Sequence, residues 1–218
     1  MKTGLLFDLD GTLLDTLADL TDATNHTLRH FGCPERSMAE MRQIVGNGAL
    51  RQMTLSLPGN PEDPDVQQVL SFYKDYYNSH CRIKTGPYDG IPEMLAELAK
   101  AYPIAVVSNK PDSAVKPLCE EFFPGFYALG ESAACPRKPA PDMVYKAMAD
   151  IGVERCVYIG DSEVDLLTAK NAGVPCLTVL WGFRDRPQLE KNGAVYFCDA
   201  VAQLPEMIEK IIGEVYGQ

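Results

Sequence analysis

The chain has 218 residues, 46% of them hydrophobic and 23% charged, which suits a folded protein of one large domain or two small ones. Twenty Lys and Arg against thirty Asp and Glu leave a net charge of -10 at pH 7, a field that repels nucleic acid and anionic membrane surfaces, so neither is expected as a partner. A small anionic partner stays open, provided a local cation inverts the field where it binds.

Residues 5–16 read Leu-Leu-Phe-Asp-Leu-Asp-Gly-Thr-Leu-Leu-Asp-Thr. An apolar run carries Asp8 and Asp10 to a Gly11-Thr12 turn, so a strand is expected to end on two acids. Asp15 and Thr16 can each cap a helix, and Leu17, Leu20, Leu28 and Phe31 recur at helical spacing up to Gly32, predicting a helix over 17–31. Further helices are expected over 38–45, 49–57 and 66–80, broken by Gly46-Asn47-Gly48 and by Pro58-Gly59-Asn60-Pro61. No strand signal falls between residues 16 and 82, which makes this stretch a helical insert.

From residue 84 the pattern alternates. A linker at 84–90 leads to a helix at 91–101 and an apolar strand at 104–108. A helix at 112–122, a weaker strand at 126–129 and a helix at 139–151 follow. The strand at 156–160 runs straight into Asp161, and Gly173 closes the next helix, 163–172. Strands at 176–180 and 195–197 precede a terminal amphipathic helix marked by Leu204, Met207, Ile208, Ile211, Ile212 and Val215. Strands alternating with helices imply an α/β fold with a doubly wound parallel sheet, a Rossmann-like core. The expected division is a core of 1–15 and 84–218 around an α-helical cap of 16–83.

The seven cysteines contain no C-x-x-C, and none lie closer than Cys119 and Cys135, so they read as small buried hydrophobes in a reducing compartment. With no cleavable leader pattern and no apolar run long enough to span a membrane, the expected location is cytoplasmic.

Three strands end on polar residues: Asp8 and Asp10, then Ser108-Asn109-Lys110, then Asp161. In an open α/β sheet ligands bind outside the carboxyl ends of the strands, so residues far apart in sequence converge there. Lys138, in a loop before a helix, lies on the route back to the same edge. This set suits phosphoryl transfer. Asp8 is the natural nucleophile, since an ionised carboxylate attacking phosphorus divides one hard displacement into two. A divalent ion such as Mg2+, held by Asp8, Asp161 and the main-chain carbonyl of Asp10, offsets the repulsion between carboxylate and phosphate. Lys138 adds a second cation, and the Ser108 hydroxyl with backbone groups about Gly11, Thr12 and Asn109 can hold phosphoryl oxygens. Asp10 then serves as acid to the leaving oxygen and as base for water.

Asp8-x-Asp10-Gly11-Thr12, Ser108, Lys138-Pro139 and Gly160-Asp161-x-x-x-Asp165 resemble, in order, the four motifs of the haloacid dehalogenase superfamily, and the insert resembles its small helical cap. Within it, Asp15-Thr16, Val45-Gly-Asn-Gly-Ala49, Ser108-Asn-Lys-Pro111 and Trp181-Gly-Phe183 resemble bacterial phosphoglycolate phosphatases. The resemblance implies Mg2+-dependent phosphomonoester hydrolysis, with 2-phosphoglycolate the first candidate substrate and Asp165 in a supporting role through Lys138 or a metal-bound water. Pyrophosphate, a sugar phosphate, a nucleotide, phosphomutase activity or non-catalytic binding of a phosphate ester remain alternatives. Dehalogenase members lack the second acid, present here as Asp10, and mutase relatives often carry a cap His where this chain has Leu17-Ala-Asp-Leu20. The partner is thus a small phosphorylated metabolite, and the chain a monomer or homodimer. In the cap, Gly46, Asn47 and Arg51 are candidate substrate contacts, Arg51 through a substrate carboxylate or else in a surface salt bridge. His26 and His30, with Cys33 beyond, have one turn of a zinc pattern but no further ligand, so a polar helix face is expected. Tyr73, Tyr76 and Tyr77 are expected to pack inside the cap.

Overall fold

The computed structural model describes residues 1–217, in two compact units: 1–14 with the chain from 87 onward, and 15–86. The elements run β1 (Thr3–Phe7), β2 (Leu14–Asp15), α1 (Leu17–His30), α2 (Met38–Ile44), α3 (Gly48–Ser56), α4 (Val66–His80), β3 (Gly86–Pro87) and α5 (Ile91–Leu98). They continue with β4 (Ile104–Pro111), α6 (Asp112–Phe122), β5 (Tyr127–Glu131), α7 (Asp142–Asp150), β6 (Arg155–Gly160), α8 (Glu163–Ala172), β7 (Cys176–Val179), α9 (Arg186–Lys191), β8 (Tyr196–Cys198) and α10 (Leu204–Tyr216). The chain passes from one unit to the other through β2 and β3, which pair as a short ribbon.

In the first unit, six strands form one parallel sheet in the order β5-β4-β1-β6-β7-β8. Counted within the sheet this is the 3-2-1-4-5-6 order of a doubly wound fold, and the crevice at its switch point opens between β1 and β6. Side chains alternate across each strand and both faces are covered. Leu5, Phe7, Ile104, Val106, Val157 and Ile159 pack with helices α5, α6 and α10. Leu6, Ala105, Val107, Cys156 and Tyr158 pack with α7 and α8. This two-sided burial is why the strands read as continuous apolar runs.

Two differences from the sequence expectation bear on the site. Strand β4 continues through Asn109 and Lys110 to Pro111, where polar residues and a proline had suggested an end at 108. Helix α9 forms over a stretch with no apolar period, started by the Asp185–Gln188 capping box and Pro187 in its first turn.

The second unit is built from α1–α4. Leu20, Ala23, Leu28, Met41, Met53, Val69 and Tyr73 are buried in it. Gln52 and Asp19, two of its buried polar side chains, are locally satisfied. The Gln52 amide donates to Thr24 Oγ1 at 2.9 Å and to the Tyr73 hydroxyl at 3.2 Å. The Asp19 carboxylate accepts from the N–H groups of Ile83, Lys84 and Thr85 at 2.9–3.0 Å. Tyr73 and Tyr77 are buried and stacked on each other, while Tyr76 lies half-buried outside that pair. His26 and His30 do not form a free polar face. All three histidines interleave with Phe72 and Tyr76 in a continuous stack: His26 on Tyr76 and His80 on Tyr76 at 3.8 Å, His30 on Phe72 at 4.0 Å. Aromatic spacing on α4 matches the i, i+4 spacing on α1, so the rings meet as two combs.

Candidate active site

β1 leads directly into Asp8, and residues 9–14 turn back on themselves: the N–H groups of Leu13 and Leu14 both donate to the Leu9 carbonyl. Gly11 sits at φ +83°, and a Cβ there would run into the Asp161 carboxylate, so only glycine lets the turn lie against the end of β6. The Phe183 N–H donates to Asp161 Oδ2 at 2.6 Å, and Thr12 Oγ1 reaches Asp161 Oδ1 at 3.5 Å. The Trp181 indole N–H donates to the Thr12 carbonyl at 3.0 Å, tying the loop after β7 to the turn after β1.

Asp8 Oδ1 accepts the Leu9 N–H at 2.7 Å and pairs with Lys138 Nζ at 2.8 Å. Its Oδ2 takes no hydrogen bond among the described residues. Lys138, only 2% exposed, spends its three hydrogens on Asp8, on Asp165 Oδ1 at 2.8 Å and on the Tyr158 hydroxyl at 3.0 Å. Its loop is held by Asn109, whose side chain accepts from the Lys138 N–H at 2.6 Å and donates to the Lys138 carbonyl at 3.2 Å. Asn109 thus uses its side-chain amide to place Lys138.

Asp165 holds the site together from beneath. Its Oδ1 serves Lys138 and Tyr158, and its Oδ2 accepts from Ser162 N, Ser162 Oγ and Asp161 N. Gly160 permits this approach, since a Cβ there would overlap Asp165. Ser108, 1% exposed, accepts the Lys110 N–H at 3.2 Å, and its own hydrogen has no acceptor among the described residues. Asp10 is clamped by Lys110, Nζ to Oδ1 at 2.7 Å.

The electrostatics follow from this packing. Burial, then the charge of Asp165, pushes the Asp8 carboxyl up to about 7 against the pull of Lys138. Burial likewise raises Asp161 well above the carboxylate range, helped by Asp165 and Asp8 and opposed by the Phe183 N–H and Arg184. Burial works against the charge on Lys138, yet Asp165 and Asp8 outweigh it and hold the ammonium protonated well above the ordinary lysine range. Asp8 and Asp165 thus share one ammonium, while the charge on Asp161 is met by the Phe183 N–H and Arg184. Ligand oxygens of Asp8, Asp161 and Asp165 lie within 4.8 Å of one another, a hard-oxygen donor set with surplus negative charge, which fits a divalent cation. Asp165 accepts two hydrogen bonds on Oδ1 and three on Oδ2, whereas Asp161 Oδ1 has only the 3.5 Å approach of Thr12 Oγ1 and Asp8 Oδ2 has none among the described residues, so Asp8 and Asp161 are the better placed ligands.

The structure brings Asp8, Asp10, Gly11, Thr12, Ser108, Asn109, Lys138, Asp161 and Asp165 to the carboxyl end of one sheet. Gly46, Asn47 and Arg51 belong to the other unit, with Asn47 at the N-cap position of α3, its side chain making no capping hydrogen bond, and Arg51 exposed on its first turn. Three contributors had no role from sequence: Lys110, Tyr158 and the loop glycine Gly182, whose missing Cβ leaves room for Asp161. Lys110 was placed with Ser108 and Asn109 at a polar strand end and stood in the quoted Ser-Asn-Lys-Pro stretch, but neither signal gave it a role of its own. Tyr158 looked like one more large residue of an apolar strand.

Among the described residues no helix is long and apolar enough to cross a membrane. Residues 5–179 match the family of haloacid dehalogenase-like hydrolases. N-acetylmuramic acid 6-phosphate phosphatase of Pseudomonas aeruginosa is 31% identical over 214 residues, covering 94% of this chain and 92% of that protein. A phosphoglycolate phosphatase of Agrobacterium fabrum is 32% identical over 220 residues, covering 96% and 94%. A solved structure from Lactobacillus delbrueckii subsp. bulgaricus, 41% identical, superposes with a TM-score of 0.88 over 95% of this chain and 99% of that one. The chain belongs to the haloacid dehalogenase-like hydrolases, and within them to the phosphatases.

Proposed function

We propose that the chain hydrolyses a small phosphomonoester through an aspartyl-phosphate intermediate, with 2-phosphoglycolate as first candidate substrate. The observation that carries this is Asp8: one oxygen is fixed by Lys138 and the Leu9 N–H, and the other is left open at the switch point of the sheet. Asp8 Oδ2 attacks phosphorus as the ester bond breaks, and Asp10 gives its proton to the departing oxygen. In the second half Asp10 takes a proton from water, whose oxygen displaces Asp8 and regenerates the carboxylate. The unspent hydrogen of Ser108 holds a phosphoryl oxygen, and Lys138, its hydrogens committed to Asp8, Asp165 and Tyr158, meets through its charge the negative charge that grows in the transition state. Mg2+, bound by Asp8, Asp161 and the Asp10 main-chain carbonyl, supplies positive charge that lets an anionic nucleophile approach an anionic phosphate. Gly46, Asn47 and Arg51 are proposed to recognise the rest of the substrate, Arg51 through a carboxylate.

A second reading of the substrate comes from the Pseudomonas aeruginosa relative, named for a sugar phosphate. Turnover on a panel containing 2-phosphoglycolate, N-acetylmuramic acid 6-phosphate, other sugar phosphates, nucleotides and pyrophosphate separates the two. The chemistry itself is tested with Asp8→Asn. Turnover with Mg2+ is expected to fall by a thousandfold or more, on the order of the loss when a nucleophile is removed. Near-normal turnover by a folded Asp8→Asn protein rejects the nucleophile.

A further inference from the structure

Lys110 lies on an edge where a lysine ordinarily reaches into solvent, because burying an ammonium is costly unless it is paired. Here it is 8% exposed and ends on Asp10 Oδ1 at 2.7 Å. A local distortion of β4 puts it there. β4 and β5 pair in step from Ala105–Tyr127 to Ser108–Gly130, and the next pair is Pro111–Glu131, so three steps on one strand face a single step on its neighbour. Such a bulge re-aims side chains at a sheet rim. Gly130 makes room for it: a Cβ there would lie 2.6 Å from the Lys110 carbonyl oxygen and from the Asp112 backbone. The Gly130 N–H donates to Asp112 Oδ1 at 3.1 Å, and the Lys110 N–H to Ser108 Oγ at 3.2 Å, fixing the bulge on both sides. Asp10 Oδ2, unlike Oδ1, takes no hydrogen bond among the described residues.

We propose that Lys110 is a positioning residue for the reaction, holding Asp10 by one carboxylate oxygen so that the other meets the ester oxygen as it leaves and then the incoming water. This role presupposes the phosphoryl transfer proposed above. In the first step the P–O ester bond breaks as the Asp8 O–P bond forms, and the Asp10 proton passes to the leaving oxygen. In the second, water oxygen bonds to phosphorus, the Asp8 O–P bond breaks and a water proton returns to Asp10. Lys110 itself exchanges no proton in either step.

The test uses the full chain with Mg2+ and two esters: 2-phosphoglycolate, whose alkoxide leaving group needs a proton, and p-nitrophenyl phosphate, whose leaving group does not. With Lys110→Met, kcat/KM on the alkyl ester is expected to fall about 30-fold, through kcat, part of the range general acid catalysis spans. On the aryl ester kcat/KM should change less than about threefold, because it reports only the first step, where that leaving group needs little proton transfer; the second step is common to both esters. Lys110→Arg, which keeps the charge, restores most of the loss, and it carries the test should Lys110→Met fail to fold. In an Asp10→Asn background Lys110→Met should add less than about twofold, since the group it positions is gone.

A loss that persists in the Asp10→Asn background, appears mainly in KM or strikes kcat/KM of both esters equally overturns the inference, marking Lys110 as a direct substrate cation or a purely structural residue. Unchanged rates on the alkyl ester also overturn it. If the unsubstituted protein turns over neither these esters nor any other member of the panel, the hydrolase proposal fails first and the inference with it.

Discussion

The two units bury polar groups in opposite ways. In the helical unit, each buried group described above meets a neutral partner or backbone: Gln52 bonds Thr24 and Tyr73, and Asp19, 3% exposed, takes three consecutive backbone N–H groups. In the sheet unit, buried charges answer one another: Lys138 against Asp8 and Asp165, Lys110 against Asp10, with Asp161 leaning on a backbone N–H. Backbone donors cannot be withdrawn once the helices form, so the first arrangement supports a fold. Charges balanced only by other charges are held ready for a ligand and contribute little net stability, because desolvation offsets most of the attraction.

The contrast is broken most severely at Lys138. Lys138→Met leaves Asp8 and Asp165 buried without their shared ammonium. Unpairing a buried charge costs about 3–5 kcal/mol, so the unfolding midpoint in EDTA should drop clearly, and turnover on the order of a thousandfold or more. A protein that keeps its activity with methionine there removes Lys138 from phosphoryl binding. Asp19→Ala should act the other way round. It orphans three N–H groups at residues 83–85, a loss of about 2–3 kcal/mol, and hydrogen exchange at those amides should accelerate. Unchanged exchange there means that water or another acceptor replaces the carboxylate.

Much of both patterns was visible in the sequence, for a physical reason. Apolar runs that end on acids mark strands of a doubly covered sheet, and their carboxyl ends must share an edge, so Asp8, Asp10 and Asp161 could be brought together from more than a hundred residues apart. Lys138 was legible through its place before a helix on the return to that edge. Lys110 was not, because its direction depends on a bulge set by Gly130 of the neighbouring strand, and pairing register is not written locally. Tyr158 was hidden for a related reason: its burial face follows the strand period, while its hydroxyl finds Lys138 and Asp165 only in the assembled sheet. The histidines misled in the opposite sense. Their i, i+4 spacing on α1 was read as a polar face, and only the matching rings on α4 turn it into a stack.

That stack gives the smallest expected effect, and it sets titratable imidazoles into the packing of the helical unit. Burial first, then Arg29, His80 and His30, holds the His26 imidazole below its ordinary value of 6.5. The described charges around it are of one sign: Arg29 and His30 from α1 and His80 from α4, with the rings of Phe72 and Tyr76 between them. As pH falls below 6.5 the unfolded chain takes up a proton that folded His26 still refuses, so stability declines until the lowered value is passed and then levels off. Above 6.5 both states are neutral at this position and it contributes no slope. His26→Phe keeps an aromatic ring in the stack and removes the proton. The difference in melting temperature between His26→Phe and the unsubstituted protein should therefore widen in favour of phenylalanine from pH 7.5 to 5.5. A difference that stays constant across that range shows that the stack tolerates an imidazolium, and that the helical unit, like the sheet unit, has a charge arrangement of its own to absorb it.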